Sequence, residues 1–249
     1  MTLLVGLRGT DGIVVASDSR GTFGDPRGVT AQNDAQKKLY VATNRACVLT
    51  AGSGELGATI MSEALGIYQP SDGVSQVLTK TRTLVRQRYA EWFPNFALQP
   101  NQEGSPVRPD LALLIAGYDA ASSGRQPDQK MFQIVSALDF APMLHNYGFA
   151  LVGVAQYGLY LLNRLYKDNA TVDQLKALAA YVITETASQD GKVGGPVQMA
   201  VIGANTTTAL TPEEVAQIVQ NNASKSTALK DSFFAQPQAG IADAAGGAK

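Results

Sequence analysis

Thr2 follows the initiating Met1 and precedes the apolar run Leu3-Leu4-Val5-Gly6-Leu7. If Met1 is removed, as is expected when the next side chain is small, Thr2 carries a hydroxyl and a free α-amine on one residue. A threonine hydroxyl is a weak nucleophile without a base, and a terminal amine supplies one without any fold-specific partner. The chemistry this allows is acyl transfer. Position 2 is ordinarily a frayed strand start, so the reading needs support from the rest of the chain.

Other reactive residues offer less. Cys47 is the single cysteine and lies within Ala46-Cys47-Val48-Leu49, where a buried, inert thiol is expected, and one cysteine excludes both an intrachain disulfide and a cysteine-based metal cluster. His145, the only histidine, sits in Pro142-Met143-Leu144-His145-Asn146 without a recognisable Ser or Cys nucleophile setting, so a structural or surface role is expected. Gly52-Ser53-Gly54 fails the glycine spacing of dinucleotide and phosphate loops. No metal or cofactor is expected.

The elements that must carry Thr2 follow from hydropathy. Residues 3–7 and 13–19 read as a hairpin around Asp11-Gly12, both of which tolerate positive φ. Leu39–Val41 and Ala46–Ala51 read as a second strand pair. Helices are expected over 55–67 and 74–93, the latter from Val77, Leu84, Val85 and Trp92, and together they should cover one sheet face. A proline-rich loop spans 94–109. Strands resume at 111–116, 131–138 and 149–152, helices at 157–167 and 171–189, and a last strand at 197–202. Thr211-Pro212-Glu213-Glu214 begins a further helix. Helix pairs between sets of antiparallel strands imply an α+β fold, without deciding how sheets and helices are layered. Residues 1–234 are expected to form a single domain, and 235–249, rich in Ala, Gly and Gln, a flexible tail.

At 249 residues the chain is long enough for a sizeable core, with 45% hydrophobic and only 16% charged residues, against about a quarter charged in average proteins. Part of so sparsely charged a surface is expected to lie in subunit contacts. A net charge of −1 gives no electrostatic case for nucleic acid or an anionic membrane. No stretch approaches the ~20 apolar residues of a membrane helix, and the N-terminus lacks a signal-peptide pattern, so a cytoplasmic location is expected.

Thr2, Val5-Gly6, Asp11-Gly12, Ser17-Asp18-Ser19-Arg20, Thr22, Lys37-Lys38-Leu39-Tyr40 and Ala51-Gly52 stand in the order of a proteasome β subunit, joined later by Asp190, Gly194-Gly195 and Ala200-Val201-Ile202. The chain thus resembles the proteasome β-subunit family of N-terminal nucleophile (Ntn) hydrolases. The resemblance covers roughly 1–203, is dense over 2–58 and weak through 95–150. Among the family's groups it places the short bacterial proteasome homologue without propeptide nearest, with HslV and Anbu more distant. It implies the Ntn-hydrolase fold, a four-layer αββα sandwich of two antiparallel sheets with helices on both outer faces.

The resemblance also implies roles. Thr2 would attack a peptide carbonyl, its amine carrying the proton. Lys38 would place positive charge beside the hydroxyl, and Asp18 would hold Lys38 in position and charged. Lys38 and Tyr40 should share a strand face that Lys37 and Leu39 do not. The Gly52 N–H would stabilise the oxyanion. Asp190 would complete the catalytic set, and Arg20 would brace it. Thr22 would hold extended substrate as an added strand. Gly21, Gln36, Tyr40, Thr50, Gly54 and Ala58 would line a small, uncharged pocket, tolerant of apolar or polar side chains.

The chain departs from the pattern where two serines normally tend the threonine amine: Gln156 and Val193 align there, and valine cannot relay a proton. The implied activity is a threonine endopeptidase, enclosed in a homo-oligomeric stacked double ring. It would act on unfolded polypeptides or peptides, with an ATP-dependent unfoldase as a possible partner. A catalytically silent ring or scaffold component and a small-amide Ntn hydrolase are the alternatives.

Overall fold

The computed structural model describes residues 2–25, 28–98, 106–120 and 127–234; the expected C-terminal tail lies outside them. Strands β1 (Leu3–Arg8) and β2 (Ile13–Ser17) pair antiparallel, as the apolar runs predict. The Asp11-Gly12 turn is present, but neither residue has positive φ. Gly12 is instead a close-approach glycine: a Cβ there would lie 2.7 Å from Val172 Cγ2 and 3.0 Å from the Ile202 carbonyl oxygen. Asp11 Oδ1 accepts from Val172 N–H at 2.7 Å, tying the turn to the following helical layer.

A hairpin follows, β3 (Gly21–Asp25) and β4 (Gly28–Asn33). Then come β5 (Leu39–Thr43), β6 (Ala46–Gly52), α1 (Gly54–Ile67), α2 (Val74–Trp92), β7 (Leu111–Tyr118) and β8 (Gln129–Val135). The remaining elements are β9 (Met143–Leu144), β10 (Phe149–Gly153), α3 (Gln156–Leu165), α4 (Val172–Gln189), β11 (Gln198–Ile202), β12 (Thr207–Ala209) and α5 (Pro212–Phe234). Thr211 and Glu214 form a reciprocal cap at the start of α5, with Glu214 N–H donating to Thr211 Oγ1 at 3.2 Å and Thr211 N–H to Glu214 Oε2 at 2.7 Å.

Two five-stranded antiparallel sheets result, ordered β10-β1-β2-β11-β12 and β5-β6-β7-β8-β9. The central strands are buried on both faces, which is why they read as near-continuous apolar runs. In β2, Ile13 and Val15 join a cluster containing Cys47, Leu49 and Leu114 of the other sheet, whereas Val14 and Ala16 join one containing Leu175, Ala179 and Ile183 of α4. In β7, Leu111, Leu113 and Ile115 pack with Ile60 and Met61 of α1 and Val77 and Tyr89 of α2. Helices α1 and α2 thus cover one sheet face as expected. Gly6 is a close-approach glycine between the sheets: a Cβ there would meet Met131 Sδ at 2.9 Å.

Candidate active site

Antiparallel register brings the chain start to the end of β2. Leu4 pairs with Ser17, so Leu3 and Asp18 face each other at the rim of the sheet. Asp18 is fully buried. Its Oδ1 accepts from Leu3 N–H at 3.0 Å and Lys38 Nζ at 2.9 Å, while Oδ2 accepts from Arg20 N–H at 3.2 Å and Gly194 N–H at 3.1 Å. A carboxylate removed from water needs such donors, and charge-assisted bonds supply them. One of them belongs to the peptide unit joining Thr2 to Leu3, so Asp18 orients the residue next to the candidate nucleophile as well as Lys38.

Lys38 is buried beside it, and Lys37 is exposed with its ammonium 4.9 Å from the centre of the Tyr40 ring. Lys38 Nζ also donates to the Arg20 carbonyl oxygen at 2.6 Å. Its backbone is held by Gln198, whose Oε1 accepts from Lys38 N–H at 3.0 Å and Leu39 N–H at 3.2 Å. Burial lowers the Lys38 pKa below the ordinary 10.5, and the charge and hydrogen bond of Asp18 oppose that shift.

Thr2 is buried, its carbonyl oxygen accepting from Val154 N–H at 2.8 Å. It opens onto a cleft of about 120 Å³ that Gly52, Gly21, Thr22, Gln36 and Gly54 also line. Gly52 has φ +97°, and a Cβ there would lie 2.3 Å from the Asp110 carbonyl oxygen, so both conformation and space require glycine.

The other expected pocket residues lie elsewhere. Tyr40 packs into the cluster beneath α1 and α2, Thr50 is buried under Gly57, and Ala58 is exposed on α1. Phe23, Ser53, Glu55 and Arg20 line the cleft in addition. The first three were missed: Phe23, in the β3–β4 hairpin, and Ser53, the residue before α1, carry no hydropathic signal, and Glu55 lies in the first turn of α1, whose expected helix gives no sign that it faces the cleft. The positioning role of Gln198 was missed as well; its only local signal is a polar residue at the start of an apolar strand.

Arg20 braces the surroundings. Its Nε and Nη2 donate to Asp34 Oδ1 and Oδ2 at 2.7 and 2.8 Å, and its Nη1 donates to the Gly191 carbonyl oxygen at 3.1 Å. The hydrogen bond from Arg20 holds the Asp34 carboxyl below its usual range. Asp190 closes α4, and its Oδ1 accepts from Lys192 N–H at 2.9 Å, shaping the loop that delivers Gly194 to Asp18. Asp190 itself does not line the cleft. Gln156 is exposed at the start of α3, and Val193 is fully buried in the apolar cluster against α4.

The alternative reactive residues are placed as packing groups. Burial pushes the Cys47 thiol far above its ordinary pKa. His145 Nε2 lies 3.3 Å from Gln133 Oε1, and burial lowers its pKa. Among the described residues no three His, Cys, Asp or Glu side chains group as metal ligands, and no helix is long and apolar enough to cross a membrane.

No protein-family model matches the chain, and no curated protein matches it in sequence. Solved structures do match it. Anbu (ancestral beta-subunit) from Yersinia bercovieri is 17% identical, covers 97% of this chain and 100% of its own, and has a TM-score of 0.68. The helical assembly of the Anbu complex from Pseudomonas aeruginosa is 19% identical over 95% of this chain and 97% of its own, with a TM-score of 0.69. Anbu from Hyphomicrobium sp. strain MC1 is 17% identical over 96% and 100%, with a TM-score of 0.65. At these identities the likeness is one of fold.

These matches correct the placement drawn from residue motifs, which set the short bacterial proteasome homologue nearest and Anbu further off. Anbu chains superpose with this chain along nearly their whole length. The motifs were concentrated over 2–58, whereas the fold comparison also weighs the helices and strands beyond that segment.

Proposed function

We propose that the chain is a threonine-type Ntn hydrolase that cleaves peptide bonds with Thr2 once Met1 is removed. One observation carries the reading: a fully buried carboxylate, Asp18, joins the Leu3 N–H, one peptide bond from Thr2, to the buried Lys38 ammonium, which also donates to the carbonyl of Arg20, a residue lining the cleft shared by Thr2 and Gly52. A surface ion pair would have no reason to be dehydrated there; the usual worth of such pairs, ~0–1 kcal/mol, does not offset burial.

In this reading the Thr2 Oγ1 attacks the substrate carbonyl carbon while the amine nitrogen takes the hydroxyl proton. The carbonyl π pair moves onto oxygen, where the Gly52 N–H stabilises it. Collapse breaks the C–N bond, the leaving nitrogen takes the proton back from the ammonium, and an ester remains on Oγ1. Water, deprotonated by the same amine, attacks the ester; the C–O bond breaks and Oγ1 recovers its proton. Of the three Lys38 N–H donors, two go to Asp18 and Arg20; we assign the third to the Thr2 hydroxyl, stabilising its developing negative charge. Thr22, Gly21, Gln36 and Gly54 would receive the substrate, with Arg20 and Asp190 as supports.

The three apolar clusters support a four-layer αββα arrangement. The solved Pseudomonas aeruginosa Anbu complex is a helical assembly. Together with the low charged fraction of this chain, that supports assembly of copies of it into a homo-oligomeric compartment that admits unfolded polypeptide or peptides. A stacked double ring, an ATP-dependent unfoldase partner and a cytoplasmic location belong to the same reading.

One observation favours a second reading, a catalytically silent scaffold. Val193 is buried among apolar side chains and Gln156 is exposed, so the residues aligned with the family's two serines offer no hydroxyl to the Thr2 amine. Treatment of the protein with a peptide epoxyketone, which requires a threonine hydroxyl and its free amine, separates the two. An adduct on Thr2 supports the hydrolase; a processed, folded and unlabelled Thr2 supports the scaffold.

A further inference from the structure

One side chain, Gln36, lines the cleft together with Thr2 and lies against two of its glycines. Gln36 has both backbone polar groups fixed: its N–H donates to the Ser19 carbonyl oxygen at 3.0 Å, and its own carbonyl accepts from Gln198 Nε2 at 2.7 Å. From that root the carboxamide lies across two glycines. A Cβ added to Gly54 would sit 1.5 Å from Gln36 Nε2, and one added to Gly21 would sit 2.9 Å from Oε1. The carboxamide therefore occupies space that side chains at positions 21 and 54 would otherwise take. Both glycines line the same cleft as Thr2.

We propose that Gln36 sets the specificity of the site by filling the pocket beside the nucleophile. The pocket then accepts an acyl-side residue with a small side chain, glycine, alanine or serine, and excludes leucine, phenylalanine and larger ones. A large side chain would have to drive the carboxamide off Gly54. The pinned backbone leaves only side-chain rotation for that, and Gly21 already bounds it on the other side. The proposal departs from the tolerant pocket that the resemblance implies: Tyr40, Thr50 and Ala58 do not line this cleft, and Gln36 lies across it. The proposal rests on Thr2 being the nucleophile.

The test compares peptide epoxyketones that differ only in the residue next to the reactive ketone, on protein whose loss of Met1 is verified by intact mass. The wild type should label at Thr2 about tenfold or more faster with the alanine probe than with the leucine probe, the scale on which pockets discriminate a misfit of methylene size. Gln36→Ala should abolish or reverse that ratio, and Gln36→Glu, of equal length, should preserve it. Equal labelling of the wild type by both probes overturns the proposal even if Gln36→Ala does not fold. So does an unchanged ratio in a folded Gln36→Ala. Failure of every probe on folded, processed protein overturns the Thr2 assignment itself, and the specificity proposal with it.

Discussion

Asp18 and Lys38 form an ion pair sealed from solvent, Nζ 2.9 Å from Oδ1 with the side chains 0% and 2% exposed respectively. Three backbone N–H groups complete the carboxylate, so the pair is also a joint between β1, β2, the start of β5 and the loop before β11. Its bonds to the Leu3 N–H, next to Thr2, and to the carbonyl of Arg20, which lines the Thr2 cleft, link the stability of the fold to the proposed chemistry.

Asp18→Asn leaves the Lys38 ammonium buried without a counter-charge and should cost about 3–5 kcal/mol, the usual scale for breaking a buried pair. Chemical denaturation measures it. Lys38→Met added to Asp18→Asn should recover part of the loss, and strictly additive losses would show that the two residues do not act together.

Lys38→Met removes the charge beside the nucleophile while leaving Asp18 its three backbone donors. The rate of Thr2 labelling should fall about 10²–10³-fold, as when one preorganised charge-stabilising group is removed. An unchanged rate in a folded variant removes Lys38 from the chemistry.

The pH profile of labelling should be bell-shaped. The Thr2 amine must be neutral to take the hydroxyl proton, so the rate should rise with pH through the amine's ordinary range of about 7.7–8.0. Lys38 must stay charged, and burial lowers its pKa, so the alkaline limb should fall below lysine's ordinary 10.5. Lys38→Arg should move that limb upward. For stability the sign is separate: a lysine pKa depressed on folding means the unfolded chain binds the proton more readily through that window. Lys38 therefore favours the native state increasingly as pH rises through it. The wild type minus Lys38→Met difference in unfolding free energy across alkaline pH measures the effect; a difference moving the other way contradicts the shift.

Gly52→Ala must place a Cβ at φ +97° and within 2.3 Å of a backbone oxygen. The conformational strain alone is about 1–3 kcal/mol, and relieving the clash moves the proposed oxyanion donor. Both thermal stability and labelling rate should drop; a variant that keeps wild-type values of both would mean that Gly52 does not hold the site in this geometry.

The central strands were legible because burial on both faces makes them continuous apolar runs, as at Ile13 to Ala16 and Leu111 to Ala116. The β3–β4 hairpin was not, because among its described side chains none is buried and Phe23, Gln32 and Asn33 are exposed, so no apolar alternation marks them. Asp18 and Lys38, 20 positions apart, were recognisable as partners only by resemblance. The Gln198 clamp on Lys38 joins residues 160 positions apart, a contact that no local pattern announces. Residue types name Gln36 as a pocket residue but not the direction of its carboxamide, which lies against Gly54 and Gly21.

The most direct test of Thr2 as the nucleophile is intact-protein mass spectrometry before and after treatment with an alanine-bearing peptide epoxyketone, on the wild type and Thr2→Ala. The account predicts loss of the Met1 mass in both, a single adduct on wild-type Thr2, and none on the folded Thr2→Ala. An adduct of equal yield on Thr2→Ala, or a processed and folded wild type that takes none, would contradict it.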